Sequence, residues 1–176
     1  MAAIDKTNGL PLPRLSVPTA LTSGHDLSAF DCGEPVLNDW LRQRALKNEN
    51  RFSRTFVDLE DTRVAAFYCI SAGAIDRAQA PGKLRRNAPE SIPVAIIGRL
   101  AVSRDFHGKG LGADLLADAL MRIAAASRTI GIRAVLVHTR DEAAKRFYLK
   151  CAEFNEYPGD SRTLFLPIET VIAAFD

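Results

Sequence analysis

The sequence predicts a single α/β domain, and three observations carry that prediction. The second half alternates strand-like and helix-like segments in the order strand, glycine-rich turn, helix, strand, helix, strand. The first half holds two runs of β-branched and aromatic residues joined by a short polar turn, the pattern of an antiparallel hairpin. The composition is globular, with 176 residues, 47% hydrophobic and 25% charged, where one domain takes about 100–200 residues. A chain this long buries about two-thirds of its unfolded surface and needs no disulfide or metal staple. Residues 1–12 read as a polar leader without assigned order, and 13–176 as the domain.

The elements follow in order. LSVPTAL (15–21) reads as a first strand, and Pro18 suits it to a sheet edge. Pro35 opens a helix to about Asn50, with Val36, Leu37, Trp40, Leu41 and Ala45 on one apolar stripe. SRTFVDL (53–59) and VAAFYCISAGAI (64–75) form the hairpin around EDTR. Residues 76–92 read as a basic loop, and PVAIIGRLAV (93–102) as a central strand buried on both faces. RDFHGKGLG turns into a helix from about Leu111 to Thr129, closed by Gly131. A strand (132–139), a helix capped by Asp141 (141–151), two short strands (154–157 and 162–166) and a terminal helix over PIETVIAAF complete the pattern.

Charge and cysteine usage narrow the function classes. The net charge is only +2, from 23 Lys and Arg against 21 Asp and Glu, so affinity for a polyanion must come from local clustering. Cys32, Cys69 and Cys151 form no CxxC pair, so no metal is expected, and their odd number suits a reducing compartment. The N-terminus lacks the apolar run of a signal peptide, and no stretch of ~18 apolar residues exists. A cytoplasmic protein with no membrane partner is expected.

The informative segment is GRLAVSRDFHGKGLGADLLADAL (98–120). Gly108, Gly110 and Gly112 permit a sharp turn and close backbone approach to a ligand. The turn opens directly into a helix, so free N–H groups and the positive end of the helix meet there, which suits a pyrophosphate. Lys109 adds charge. A P-loop needs GxxxxGK followed by Ser or Thr, and a dinucleotide fold needs GxGxxG with a later acidic residue; neither fits. The pattern that remains is (Q/R)xxGxG, the pyrophosphate loop of acyl-CoA-dependent N-acyltransferases. Residues 107–112 meet it, with His107 in place of Gln or Arg. His107 reads either as a phosphate contact or as a solvated turn residue.

RLAV, RDFHGKGLG, the amphipathic helix after it and RFYLKCAEF together resemble the GNAT superfamily of N-acetyltransferases. FDCGEPVLNDWLRQRALKNENRFSRTFV, APGKLRR and IPVAIIGRLAV resemble, more narrowly, the GNAT toxins of type II toxin–antitoxin modules. The resemblance implies a mixed, mostly antiparallel central sheet with a splayed parallel strand pair, flanked by helices. It implies acetyl-CoA as cofactor, held by the backbone of Leu100, Ala101 and Val102 and by the turn of His107, Gly108, Lys109, Gly110, Leu111 and Gly112. It also implies acetylation of the α-amino group of aminoacyl-tRNA, a block of translation, a ribbon-helix-helix antitoxin as partner, and a homodimer.

Acetyl transfer needs the thioester fixed beside the amine, its oxygen stabilised, and the departing thiolate protonated. Tyr148 is the candidate acid, since a phenol at a pKa of about 10 still carries its proton beside a thiol at about 8.5; the bland alternative is a half-buried helix aromatic. Phe147 reads as core or as a wall for pantetheine. No base stands out. A free α-amino group, with a pKa of about 8, is partly neutral already, and His138, at the end of a buried strand, reads as a satisfied core histidine. Cys151 reads as a small buried hydrophobe. Arg42, Lys47, Arg51, Lys83, Arg85, Arg86 and Arg99 are candidates for tRNA contact. The competing functions are acetylation of a small amine and a non-catalytic CoA-binding module.

Overall fold

The computed structural model describes residues 15–176; the expected leader lies outside them. Seven strands form one sheet: β1 (Thr19–Ala20), β2 (Arg54–Glu60), β3 (Arg63–Asp76), β4 (Ser91–Val102), β5 (Ala134–His138), β6 (Asn155–Tyr157) and β7 (Asp160–Pro167). Their order is β1-β2-β3-β4-β5-β7-β6. Only β4 and β5 run parallel; all other neighbours are antiparallel. The parallel ladder is short, from Val94 opposite Ala134 to Ile97 opposite Val137. Beyond it the two strands separate, as the resemblance implies.

The cause of the separation is visible in the register. β3 pairs Cys69 with Arg99 but Ile70 with Ile97, so Gly98 is an extra residue in β4. A bulge of this kind bends its strand and disrupts the ladder locally. It also resets the alternation of side chains. Before it, Ala95 and Ile97 belong to the main core; after it, Leu100 and Val102 pack against that core, while Ala101 joins the opposite one.

The first helical stretch runs as α1 (Pro35–Trp40), a π-helical turn (Leu41–Ala45) and α2 (Leu46–Asn48). Leu37, Leu41 and Ala45, four residues apart, turn inward with Trp40 beside them, whereas Val36 remains 75% exposed and does not join the stripe. Trp40 stacks on Phe67 at 6.0 Å in the core beneath. Residues 76–92 are more ordered than a loop: a 3-10 turn (Arg77–Gln79) and α3 (Gly82–Arg85) form there, because Leu84 is fully buried and pins the segment.

α4 (Leu111–Ala126) covers the other face, burying Leu115, Leu116, Ala119, Leu120 and Ile123 as expected. It ends before Gly131, and its last residues stay right-handed, so Gly131 does not cap it. α5 (Glu142–Cys151) is capped by Asp141, whose carboxylate accepts from the Ala144 N–H at 2.8 Å. α6 (Ile168–Ala173) follows β7. The first strand is reduced to two paired residues on the sheet edge and one bridge from Leu15 to Glu60.

Under α4 lies a buried polar network. The Tyr68 hydroxyl donates to Asp118, Arg122 donates to the same carboxylate at 2.9 Å, and its guanidinium lies 4.0 Å over Phe56. Asp58, buried nearby, is pushed up to about 6 by burial and by the charges of Asp118 and Asp114. No helix among the described residues is long and apolar enough to cross a membrane.

Candidate active site

The separation of β4 from β5 leaves one edge of residues 98–102 without a β5 partner. Backbone donors and acceptors on such an edge need a partner, and an extended amide-bearing ligand supplies one by the geometry of an added strand. The edge leads through a 3-10 turn (Arg104–Phe106) into the glycines. Gly108 and Gly110 adopt φ of 75° and 80°, the left-handed region that side chains resist. Open space lies where a Cβ would stand at either one. Gly110 is the N-cap of α4, so unpaired N–H groups of the first helical turn face this opening. Gly112 has a different reason to be glycine: a Cβ there would meet the Phe147 ring at 3.2 Å.

These parts enclose a cavity of about 370 Å³. Of the residues singled out in the sequence, Leu100, Ala101, Val102, His107, Gly108, Gly110, Leu111, Gly112, Phe147 and Tyr148 all line it. Lys109 does not; it sits exposed on the turn. His107 is tied back, its Nε2 donating to the Val102 carbonyl at 2.6 Å, so it closes the turn on the strand.

Tyr148 is 8% exposed and reaches the cavity from α5. Its ring meets Phe147 at 5.1 Å and Phe154 at 5.7 Å, edge to face. Burial, with the thiols of Cys69 and Cys151 adding to it, pushes its ionisation well above the ordinary phenol range. The hydroxyl therefore holds its proton at neutral pH. Cys151 is exposed rather than buried, and its thiol is pushed up by partial desolvation, so no reactive thiolate stands near the tyrosine.

Of the basic residues singled out for tRNA contact, only Arg99 lines the cavity. Its guanidinium lies 4.2 Å over the Trp40 ring, which fixes its direction. Arg42 donates to the Phe30 carbonyl at 2.7 Å and ties the π-helical turn to the loop before α1. Lys47, Arg51, Lys83, Arg85 and Arg86 are exposed outside the cavity. Arg140, not singled out from sequence, lines the mouth and bridges to Glu34 at 3.0 Å, joining the start of α1 to the β5–α5 loop.

His138 also differs from its sequence reading. It is exposed and lines the cavity instead of sitting satisfied in the core. Among the described residues, no group of three or more His, Cys, Asp or Glu is placed to hold a metal ion. A free strand edge, a glycine turn at a helix start and a protonated phenol therefore converge on one opening. The arrangement can hold a long phosphorylated thioester by its backbone and hand a proton to the sulfur.

The chain is 43% identical over 152 residues to a tRNA-acetylating toxin of Mycobacterium tuberculosis, covering 86% of this chain and 91% of that protein. Its fold matches AtaT complexed with acetyl-methionyl-tRNAfMet with a TM-score of 0.84 and 29% identity, over 93% of this chain and 100% of that one. It also matches a mutant AtaT toxin bound to the C-terminus of the antitoxin AtaR and acetyl-CoA, with a TM-score of 0.79, 28% identity and coverage of 92% and 98%. Residues 22–154 match the model of the acetyltransferase (GNAT) family, and with the cavity built as described, the chain belongs to that family.

Proposed function

We propose that this protein transfers the acetyl group of acetyl-CoA to the α-amino group of aminoacyl-tRNA and so blocks translation. The observation that carries the reading is the single opening shared by the free edge of β4, the turn at Gly108 and Gly110, and Tyr148. Similarity to a tRNA-acetylating toxin supports the choice of acceptor.

The residues present fit the cofactor. The unpaired edge of β4 matches the amides of a pantetheine arm. The left-handed glycines leave backbone N–H groups accessible to a pyrophosphate, with no Cβ in the way. When bound, acetyl-CoA supplies an acetyl group already activated as a thioester. Leu100, Ala101 and Val102 hold the arm in line and Phe147 walls it. Tyr148 gives its proton to the sulfur as the carbon–sulfur bond breaks. His107 braces the turn through the Val102 carbonyl, and Lys109 adds positive charge beside the pyrophosphate.

Arg99, Lys83, Arg85 and Arg86 follow the tRNA backbone towards the cavity, with Lys47, Arg51 and the outer side of Arg42 extending the track along the first helix. A ribbon-helix-helix antitoxin restrains the enzyme, the active form is a homodimer, and it works in the cytoplasm. Radiolabelled acetyl transfer to charged tRNA, deacylated tRNA and free amines tests the reading. Label on charged tRNA alone is expected; label on free amines alone refutes the aminoacyl-tRNA acceptor.

A further inference from the structure

We infer that His138 is the proton acceptor for the attacking amine, and that Thr163 and Asp160 are positioning residues that hold its ring in the required tautomer. The inference rests on the acetyl-transfer reading given above. His138 is the last residue of β5, and its cross-strand partner on β7 is Thr163. The pair is hydrogen-bonded, His138 Nδ1 to Thr163 Oγ1 at 2.9 Å. The same Oγ1 donates its one proton to Asp160 Oδ2 at 2.6 Å. A hydroxyl has a single hydrogen, so towards the imidazole Thr163 can only accept. The proton of a neutral His138 ring therefore sits on Nδ1, and the lone pair on Nε2.

Nothing among the described residues occupies Nε2, and the exposed ring stands on the cavity wall. Asp160 cannot be the base itself. Thr163 and the Arg162 amide bond its carboxylate and hold it below the usual range. Its part is to anchor Thr163, which is buried at 4% exposure and cannot swing away.

The sides of the sheet add a second argument. Val135 and Val137 of β5 face the core under α4, where Tyr148 also packs. Leu136 faces the opposite core, so His138, two residues on, extends from the side opposite Tyr148. Arg99, paired with Cys69, points to that same side. The gap between β4 and β5 is thus flanked by a proton donor on one side and an unprotonated nitrogen on the other. Nε2 takes a proton from the amine nitrogen as its bond to the acetyl carbon forms and the carbon–sulfur bond breaks. Tyr148 protonates the sulfur and regains a proton from solvent, to which His138 returns its own.

Two measurements test this. Nitrogen NMR of the ligand-free protein at neutral pH is expected to show the neutral His138 ring protonated on Nδ1. Thr163→Val is expected to mix the two tautomers, and Thr163→Ser to preserve the first. A ring protonated on Nε2 in the unmodified protein overturns the relay. In turnover of charged tRNA, His138→Ala is expected to lower kcat about 10²–10³-fold while leaving KM for acetyl-CoA within about twofold. Added imidazole should restore part of that loss. Unchanged kcat, or a loss that imidazole does not relieve, overturns the role of His138. Inactivity of the unmodified protein towards charged tRNA would instead overturn the reading on which it rests.

Discussion

The stretch from Gly98 to Gly112 and the basic segment from Arg42 to Arg51 both carry side chains of functional type, and the fold treats them differently. Residues 98–112 collapse onto one cavity, because a bulge, a turn and a helix start lie within fifteen positions of each other along the chain. The basic residues spread. Arg42 is tied to Phe30, Lys47 and Arg51 stay exposed, and Lys83, Arg85 and Arg86 surround the buried Leu84 on and just after a separate short helix. A small ligand gripped by backbone can be built from one contiguous segment. A long polyanion is gripped by charges drawn from several segments, each also answering to its own packing.

That contrast can be broken in graded ways. Tyr148→Phe gives the largest effect: kcat falls about 10²–10⁴-fold while calorimetry finds CoA affinity unaltered. Full activity in this variant would leave the cavity without its acid. Gly110→Glu acts on binding instead. The left-handed φ of 80° strains any side chain by about 1–2 kcal/mol, and the carboxylate repels a pyrophosphate, so CoA affinity drops about a hundredfold. Affinity for tRNA should be untouched; a parallel loss would merge the two regions into one site.

Replacing Lys83, Arg85 and Arg86 together by Glu should do the converse. It weakens tRNA binding about tenfold and flattens its salt dependence by roughly one unit of slope per lost contact, with CoA affinity unchanged. Arg42→Gln should have the smallest effect on either ligand and act on stability, costing about 1–2 kcal/mol as the bond to the Phe30 carbonyl is lost. Thermal unfolding checks this, and a strong tRNA defect at unchanged Tm would make Arg42 a principal contact of the polyanion track rather than a tie to the preceding loop.

The same logic explains what was legible in the sequence. The glycine turn, the helix behind it, the hairpin and the Asp141 cap are local, so spacing and residue type reveal them. His138, Thr163 and Asp160 come together only through the register of β5 on β7, and no spacing along the chain signals a partner more than twenty positions away. His138 therefore reads as core although it ends its strand at the surface. The π-helical turn at Leu41–Ala45 escapes sequence reading because its residues are ordinary helix formers. Gly131 looks like a helix end, yet α4 stops earlier without a left-handed residue. Cys151 looks buried by type, but its position at the end of α5 exposes it.

Gly98 has one more implication. Because it is a surplus residue against β3, the cavity wall depends on a count rather than on any side chain. Removing that one codon would keep every other amino acid named above, and leave Arg99 and Leu100 on their present sides opposite Cys69 and Tyr68, yet it would let β4 run on as a regular strand without the bend that parts it from β5. Scans that exchange residues one at a time would pass over this dependence; a scan of single deletions along β4 would meet it at once.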